Sequence, residues 1–361
     1  MALRNAKPYL FQLYLLLPMK IGILTGGGDA PGINAVIRAI VRKAIQNYGY
    51  ETVGIKDGWL GLVQGEFTSL DIKNLSGLLS KGGTILGTSR TNPFKSADGP
   101  NRILKNVSEQ GIEAVIAIGG DDTLGVAAKL YEMGLPVVGV PKTIDNDLVG
   151  TDYTFGFQTA VSIACEALDR LRTTAESHHR VLILEVMGRN AGWIALESGI
   201  AGGANVILIP EKPFDIEEVC EFIRKRHKRG RNFSLVVAAE GAKPRGSGDI
   251  VYASGIDEFG HARLGGIGEY IGKEIEKRFE NIDTRTVVLG HLQRGGPPIA
   301  FDRVLATRFG IAAIDFVHEG RFGVMVGLQG NAMVPVPLKD VIGKRKTVDL
   351  KLYDIAATFF G

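Results

Sequence analysis

The chain has 361 residues, 45% of them hydrophobic and 22% charged, which supplies a sizeable core for one or two compact domains. Its formal net charge of +3 is small for this length and no lysine or arginine run dominates a face, so nucleic acid is not the implied partner. Two cysteines, Cys165 and Cys220, are too few for a disulfide framework or a zinc site and read as buried apolar positions in a reducing compartment.

In chain order, Tyr9 to Pro18 is apolar and follows Arg4 and Lys7 like a short signal peptide. The run is too short to span a bilayer, and no small-residue cleavage site follows it. Met19 reads as the natural start, with residues 1–18 a non-native or disordered extension outside the fold. From there, short Val/Ile/Leu runs recur, each followed by a glycine-rich turn and a stretch of helical length, the pattern of parallel α/β units. Lys20 to Leu24 leads into Ala35 to Gln46, Ala114 to Ile118 into Thr123 to Met133, and Val181 to Val186 into Asn190 to Gly199. Ser234 to Ala239 closes at Glu240-Gly241. Strands apolar on both faces imply a sheet covered by helices on both sides. The 48 glycines concentrate at strand ends, where open α/β sheets bind ligands.

Thr25 to Ala35 (TGGGDAPGINA) sets backbone amides without side chains before a helix, an arrangement that favours phosphate; close strand-to-helix packing explains the glycines equally well. Pro31 stands where a dinucleotide fingerprint needs its third glycine, and no GxxxxGK[ST] motif occurs. Ile118 to Gly125 (IGGDDTLG) ends a strand in two glycines and two carboxylates. Asp121 is a magnesium candidate, since one carboxylate plus phosphate oxygens suits a hard cation; its alternative role is the N-cap of the next helix. In Pro141 to Asp147 (PKTIDND), two carboxylates spaced by one residue in an extended turn can face one side, one taking a hydroxyl proton beside a lysine that offsets phosphate charge. Arg180, Arg189, Arg285 and Arg294 recur near strand ends, where guanidinium forks match phosphate oxygens. The polar stretch Lys243 to Asp249 reads as a surface loop. Arg224 to Arg231 reads as a solvated helix end favoured by the helix dipole, with an anionic effector site as the alternative.

TGGGDAPGINA, GGTILGTSR, IGGDDT, PKTIDND, EVMGR, AAEG and LGHLQRGG stand in the order and approximate spacing of phosphofructokinases, and the chain resembles that family from about Lys20 to about Gly330. The resemblance implies an α/β fold, a two-domain three-layer sandwich with mostly parallel sheets. Residues 19–156 plus 293–343 would bind the donor and 157–292 plus 344–361 fructose 6-phosphate, with the active site between them completed by a neighbouring subunit of a homodimer or homotetramer. By the same resemblance, Asp145 is the base for the sugar 1-hydroxyl, with Asp147 and Thr143 beside it, and Asp121 holds Mg2+. Gly28, Arg90 and Arg189 match positions around the transferring phosphate. Met187, Glu240 and His291 match sugar contacts, Arg294 a ligand of the 6-phosphate, and Arg180 and Arg285 further ligands of it from the adjoining chain. The setting implied is cytoplasmic, in glycolysis or gluconeogenesis.

Donor choice turns on two positions. ATP-dependent members typically carry glycine where this chain has Asp122, and many carry glycine where it has Lys142. A carboxylate at the first position crowds and repels a nucleotide, while an ammonium at the second offsets pyrophosphate charge. The pair implies reversible transfer from pyrophosphate, with an ATP-dependent phosphofructokinase as the alternative and a non-catalytic regulatory subunit or another GGD-type kinase more remote. Arg38 and Arg42 match effector-site arginines of allosteric members, but Glu66 and Asn205 break that pattern.

Overall fold

The computed structural model describes residues 18–246 and 264–361. The expected N-terminal extension, all but Pro18, and residues 247–249 of the expected polar loop lie outside the described residues. The strands are β1 (Lys20–Thr25), β2 (Glu51–Ile55), β3 (Phe67–Ser69), β4 (Ala114–Gly119), β5 (Val137–Pro141), β6 (Val181–Val186), β7 (Val206–Leu208), β8 (Ser234–Ala239), β9 (Thr284–Val288), β10 (Val324–Gln329) and β11 (Ala332–Pro337). They form a 7-stranded sheet in the order β11-β10-β5-β4-β1-β2-β3 and a 4-stranded sheet in the order β7-β8-β6-β9. Pairing is parallel except for the edge strands β3 and β11. The chain is therefore α/β with mostly parallel sheets, and a smaller second sheet accompanies the first.

Side-chain alternation explains why these strands read as continuous apolar runs. Along β4, Ala114, Ile116 and Ile118 pack into one core layer with the helices Ile33–Tyr48 and Ala300–His318. Val115 and Ala117 pack into the opposite layer with Trp59–Gln64, Gly99–Glu109 and Asp121–Glu132. In the second sheet, Leu182, Leu184 and Val186 face the helices Phe157–His178, Trp193–Ala201 and Leu350–Ala357. Val181 and Ile183 face Ile216–Lys228 and Ile267–Glu276. Each fully buried Ile or Leu contributes roughly 1.5–3 kcal/mol, so a polar residue on either face would be selected against and period-2 alternation has no reason to appear.

The two layers of helices meet at a buried carboxylate. Asp302, at the start of Ala300–His318, accepts hydrogen bonds at Oδ2 from the Thr159 N–H at 2.7 Å and its hydroxyl at 2.6 Å. It thereby caps Phe157–His178 from another helix. The C-terminal ends of β1, β4 and β5 lie side by side, and their residues Thr25, Gly119 and Pro141 point the following loops toward one place. No helix among the described residues is long and apolar enough to cross a membrane.

Candidate active site

Those loops enclose a cavity of about 340 Å³. Gly28, Arg90, Asp121, Asp122, Lys142, Thr143, Asp145, Asp147, Arg189 and Arg294 all line it, which brings together most of the residues singled out from the sequence.

The glycine turn after β1 is folded against its neighbours rather than onto a helix. The helix after the turn starts at Ile33, behind Gly32 with φ 110°, ahead of the expected start at Ala35. At Gly26 an added Cβ would sit 2.6 Å from the Thr123 hydroxyl, so close packing excludes a side chain there. At Gly28 it would meet the Arg294 guanidinium at 2.8 Å. That guanidinium donates to the Asp29 carbonyl at 3.1 Å, and the Lys142 ammonium donates to the Gly28 carbonyl. Arg294, expected at the sugar phosphate, thus also stands against the donor loop. The turn is held from outside by the Gly27 N–H donating to the Ser89 carbonyl at 3.0 Å. Asn34, fully buried, steadies the same loop by donating to the Lys81 and Gly82 carbonyls at 3.0 and 3.2 Å.

The helix after β4 begins at Asp121, and its cap is Gly120, without a side-chain capping bond. Asp121 is therefore not the N-cap; it and Asp122 occupy the first turn, where the helix dipole favours anions. Their carboxylates line the cavity wall, and Asp121 Oδ1 accepts from the Gly343 N–H at 3.3 Å.

In the loop after β5, Asn146 adopts φ 52°, a left-handed bend that asparagine tolerates better than most residues. The turn is bent rather than extended, and this bend is what lets Asp145 and Asp147 face the same cavity. It is fixed by the Thr154 N–H donating to Asn146 Oδ1 at 3.1 Å and the Thr154 hydroxyl donating to the Thr143 carbonyl at 2.8 Å. Asp145 is buried, and its Oδ1 has no hydrogen-bond partner among the described residues. Such an orphaned acceptor is costly unless a ligand supplies a donor. Burial, reinforced by the Asp145 charge, raises Asp147 to about 6. Lys142, buried beside Arg294, is lowered to about 7, chiefly by desolvation.

Beyond β6 the chain reverses sharply, with φ 142° at Gly188 and 52° at Arg189. This delays the expected helix at Asn190 until Trp193. The Arg189 N–H donates to Glu240 Oε1 at 3.0 Å, and burial raises that carboxyl to about 7, with the Asp145 charge adding to the effect. The Met187 N–H donates to Gln293 Oε1 at 2.8 Å. Met187 and Glu240 thus back the cavity without lining it. His291 lies elsewhere, on a shallow apolar surface with Val288 and Leu292. Arg180 and Arg285 both pair with Asp283, the former at 2.6 Å, and neither lines the cavity.

Comparison with known proteins decides the family. A profile described as Phosphofructokinase matches residues 20–317. The chain belongs to the phosphofructokinase family. It is 59% identical over 344 residues, 95% of this chain and 100% of the relative, to a protein of Streptomyces coelicolor named pyrophosphate–fructose 6-phosphate 1-phosphotransferase. It is also 53% identical over 345 residues, again 95% and 100% of the two chains, to an ATP-dependent 6-phosphofructokinase of Mycobacterium leprae. Among solved structures, Pichia pastoris phosphofructokinase in the T-state matches with a TM-score of 0.78 at 34% identity, over 95% of this chain but only 36% of that longer one. A pyrophosphate-dependent phosphofructokinase from Marinobacter aquaeolei matches in fold, with a TM-score of 0.79 at 23% identity over 92% of this chain and 86% of that one.

The cavity of this phosphofructokinase also holds residues that sequence reasoning passed over: Trp59, Ser89, Thr91, Thr123, Lys344 and Arg345. Trp59 opens a short helix after Gly58, and its buried Nε1 has no partner among the described residues. The run Gly343 to Lys346 (GKRK), a glycine followed by three cations, was the available signal for Lys344 and Arg345. Asn205, one of the two residues that break the effector pattern, is structural: its Oδ1 accepts from the Leu235 N–H at 2.9 Å. Arg224 to Lys228 forms the basic end of the helix Ile216–Lys228, and Arg224 pairs with Glu221 at 3.5 Å.

Proposed function

We propose that this phosphofructokinase reversibly transfers a phosphoryl group from pyrophosphate to the 1-hydroxyl of fructose 6-phosphate, giving fructose 1,6-bisphosphate and phosphate. The observation carrying the reading is that Asp122 and Lys142 face the same cavity as Asp145 and Arg189. The names of the Streptomyces coelicolor relative and of an Amycolatopsis methanolica relative at 54% identity support the same donor. ATP is the second reading, favoured by the name of the Mycobacterium leprae relative.

In the mechanism, Asp145 accepts the hydroxyl proton, with Asp147 and Thr143 steadying it. Its orphaned Oδ1 is the acceptor such a role requires. Arg90, Arg189 and Lys142 hold the donor in line, so catalysis rests on positioning and charge. The missing side chain at Gly28 makes room for the Arg294 guanidinium against the turn. A magnesium ion fits as cofactor. Among the described residues no group of three or more His, Cys, Asp or Glu side chains can hold a metal by itself, and an ion on Asp121 would complete its shell from donor oxygens and water, as magnesium commonly does. When bound, it would offset the charge of the phosphates.

The donor half is assigned to 19–156 with 293–343 and the sugar half to 157–292 with 344–361, a division supported by the separate sheets. On the sugar side, Met187, Glu240, His291 and Arg294 are taken as contacts. Arg180 and Arg285 would serve the site of a neighbouring copy in a homodimer or homotetramer, which their position outside this chain's own cavity supports. A cytoplasmic setting accords with Cys165 and Cys220 being free thiols. The test is to supply fructose 6-phosphate and magnesium with pyrophosphate or ATP at equal concentration. Faster formation of fructose 1,6-bisphosphate from pyrophosphate is expected; efficient use of ATP alone would overturn the donor assignment.

A further inference from the structure

We infer that the segment from Gly343 to Val348 is a structural part of the donor site, and that Lys344 is a ligand of the donor's phosphate oxygens. The inference deepens the pyrophosphate reading and rests on it. This segment links the helices Leu338–Val341 and Leu350–Ala357 and has no regular structure of its own. Hydrogen bonds fix it nonetheless, and they come from both sides of the cleft.

On the side of the larger sheet, the Gly343 N–H donates to Asp121 Oδ1 at 3.3 Å, and the Lys346 N–H to the Asp147 carbonyl at 2.8 Å. The Lys346 ammonium donates to Asn146 Oδ1 and the Thr151 carbonyl, each at 3.0 Å, and to the Asp152 carbonyl at 2.7 Å. On the side of the smaller sheet, the Trp193 indole donates to the Lys346 carbonyl at 3.1 Å, and the Val348 N–H to Glu211 Oε1 at 3.0 Å. Gly343 has φ 71°, while an added Cβ there would meet nothing within 4 Å. Glycine is thus required by the backbone bend and not by space.

Between these anchors, Lys344 and Arg345 line the donor cavity. Arg345 stands close enough to Asp147 to favour its charged form. Lys344 has no ion-pair partner among the described residues, although four carboxylates, Asp121, Asp122, Asp145 and Asp147, share its cavity. A compact diphosphate offers no base or ribose to grip, so its affinity has to come from ionic contacts with its oxygens. The carboxylates around it raise the number of cations needed. Lys142 contributes less than a free ammonium, since it already donates to the Gly28 carbonyl. Lys344 supplies the balance from a segment pinned to the bend that carries both acids of the reaction.

The test uses the full chain and calorimetric titration with inorganic pyrophosphate in the absence of sugar phosphate, together with steady-state kinetics. Lys344→Met should weaken pyrophosphate binding and raise its KM about tenfold, with kcat, the KM for fructose 6-phosphate and the Tm unchanged. Lys344→Arg should restore affinity to within about threefold of the parent, since the charge and its reach are retained. A Lys344→Met protein with parental Kd and KM for the donor overturns the inference, as does an equal loss for both substrates. If the parent chain uses ATP and ignores pyrophosphate, the donor reading alone fails, and the same variant read with ATP still decides whether Lys344 touches the donor.

Discussion

Around the donor, Gly28, Asp121, Lys142, Asp145 and Asp147 come from the ends of three adjacent parallel strands and meet in one cavity. Around the expected sugar site, Met187, Glu240, His291, Arg180 and Arg285 are spread over the second sheet and its edge strand β9, and the two arginines are held by Asp283. The donor residues therefore converge within a single chain, while the expected sugar residues do not share one cavity. Parallel strand ends converge by construction, so one chain can complete the donor side. Edge strand β9 leaves one side of the smaller sheet open, and Arg285 on it is exposed outside the cavity.

The largest effect should come from the donor side. Asp145→Ser is expected to lower kcat by roughly 10²–10⁴-fold, the range of a lost general base, with KM for both substrates little changed. Near-parental turnover would remove Asp145 from the chemistry. Next, Arg180→Ala and Arg285→Ala should each raise the KM for fructose 6-phosphate about tenfold or more, as expected for a lost charge-assisted bond. Mixing subunits of Arg285→Ala with subunits of Asp145→Ser should give a kcat/KM for fructose 6-phosphate above that of either variant alone. If KM does not move, both arginines serve only to pair with Asp283, and the contrast between the two sides disappears.

A smaller effect is set by pH. Lys142 titrates near 7 in the free site, so rising pH removes its charge and kcat/KM for the donor should fall above about that value. Asp147 titrates near 6, so falling pH protonates it and activity should drop below about that value. A profile of kcat/KM against pH checks both limbs. Lys142→Arg should flatten the alkaline one, because a guanidinium keeps its proton. The smallest effect concerns the seam between the halves. Asp302→Ala leaves the Thr159 N–H and hydroxyl without their acceptor, which should cost about 1–3 kcal/mol of stability by denaturant titration and leave donor KM unchanged.

Much of the fold was legible because strands buried on both faces, such as β4, leave uninterrupted apolar runs. The donor residues were legible because each motif is contiguous and sits at a strand end. What escaped is nonlocal. The contact between Lys346 and Asn146 spans 200 positions, and a run of glycine, lysine and arginine reads as ordinary surface until Asp121 and Asp147 are seen beside it. The left-handed backbone at Asn146 and Arg189 escaped for a related reason: tertiary contacts, not local propensity, hold it. Trp59 stands in none of the sequence motifs, and only the fold brings it to the cavity wall.

Asp122 and Lys142, in one cavity, are the residues expected to select the donor. The most direct measurement is the ratio of kcat/KM for pyrophosphate to that for ATP, in the parent chain and in Asp122→Gly with Lys142→Gly. The ratio should favour pyrophosphate in the parent and shift toward ATP by about tenfold or more in the double variant, as loss of repulsion and of a charge contact would produce. An unchanged ratio would contradict that role.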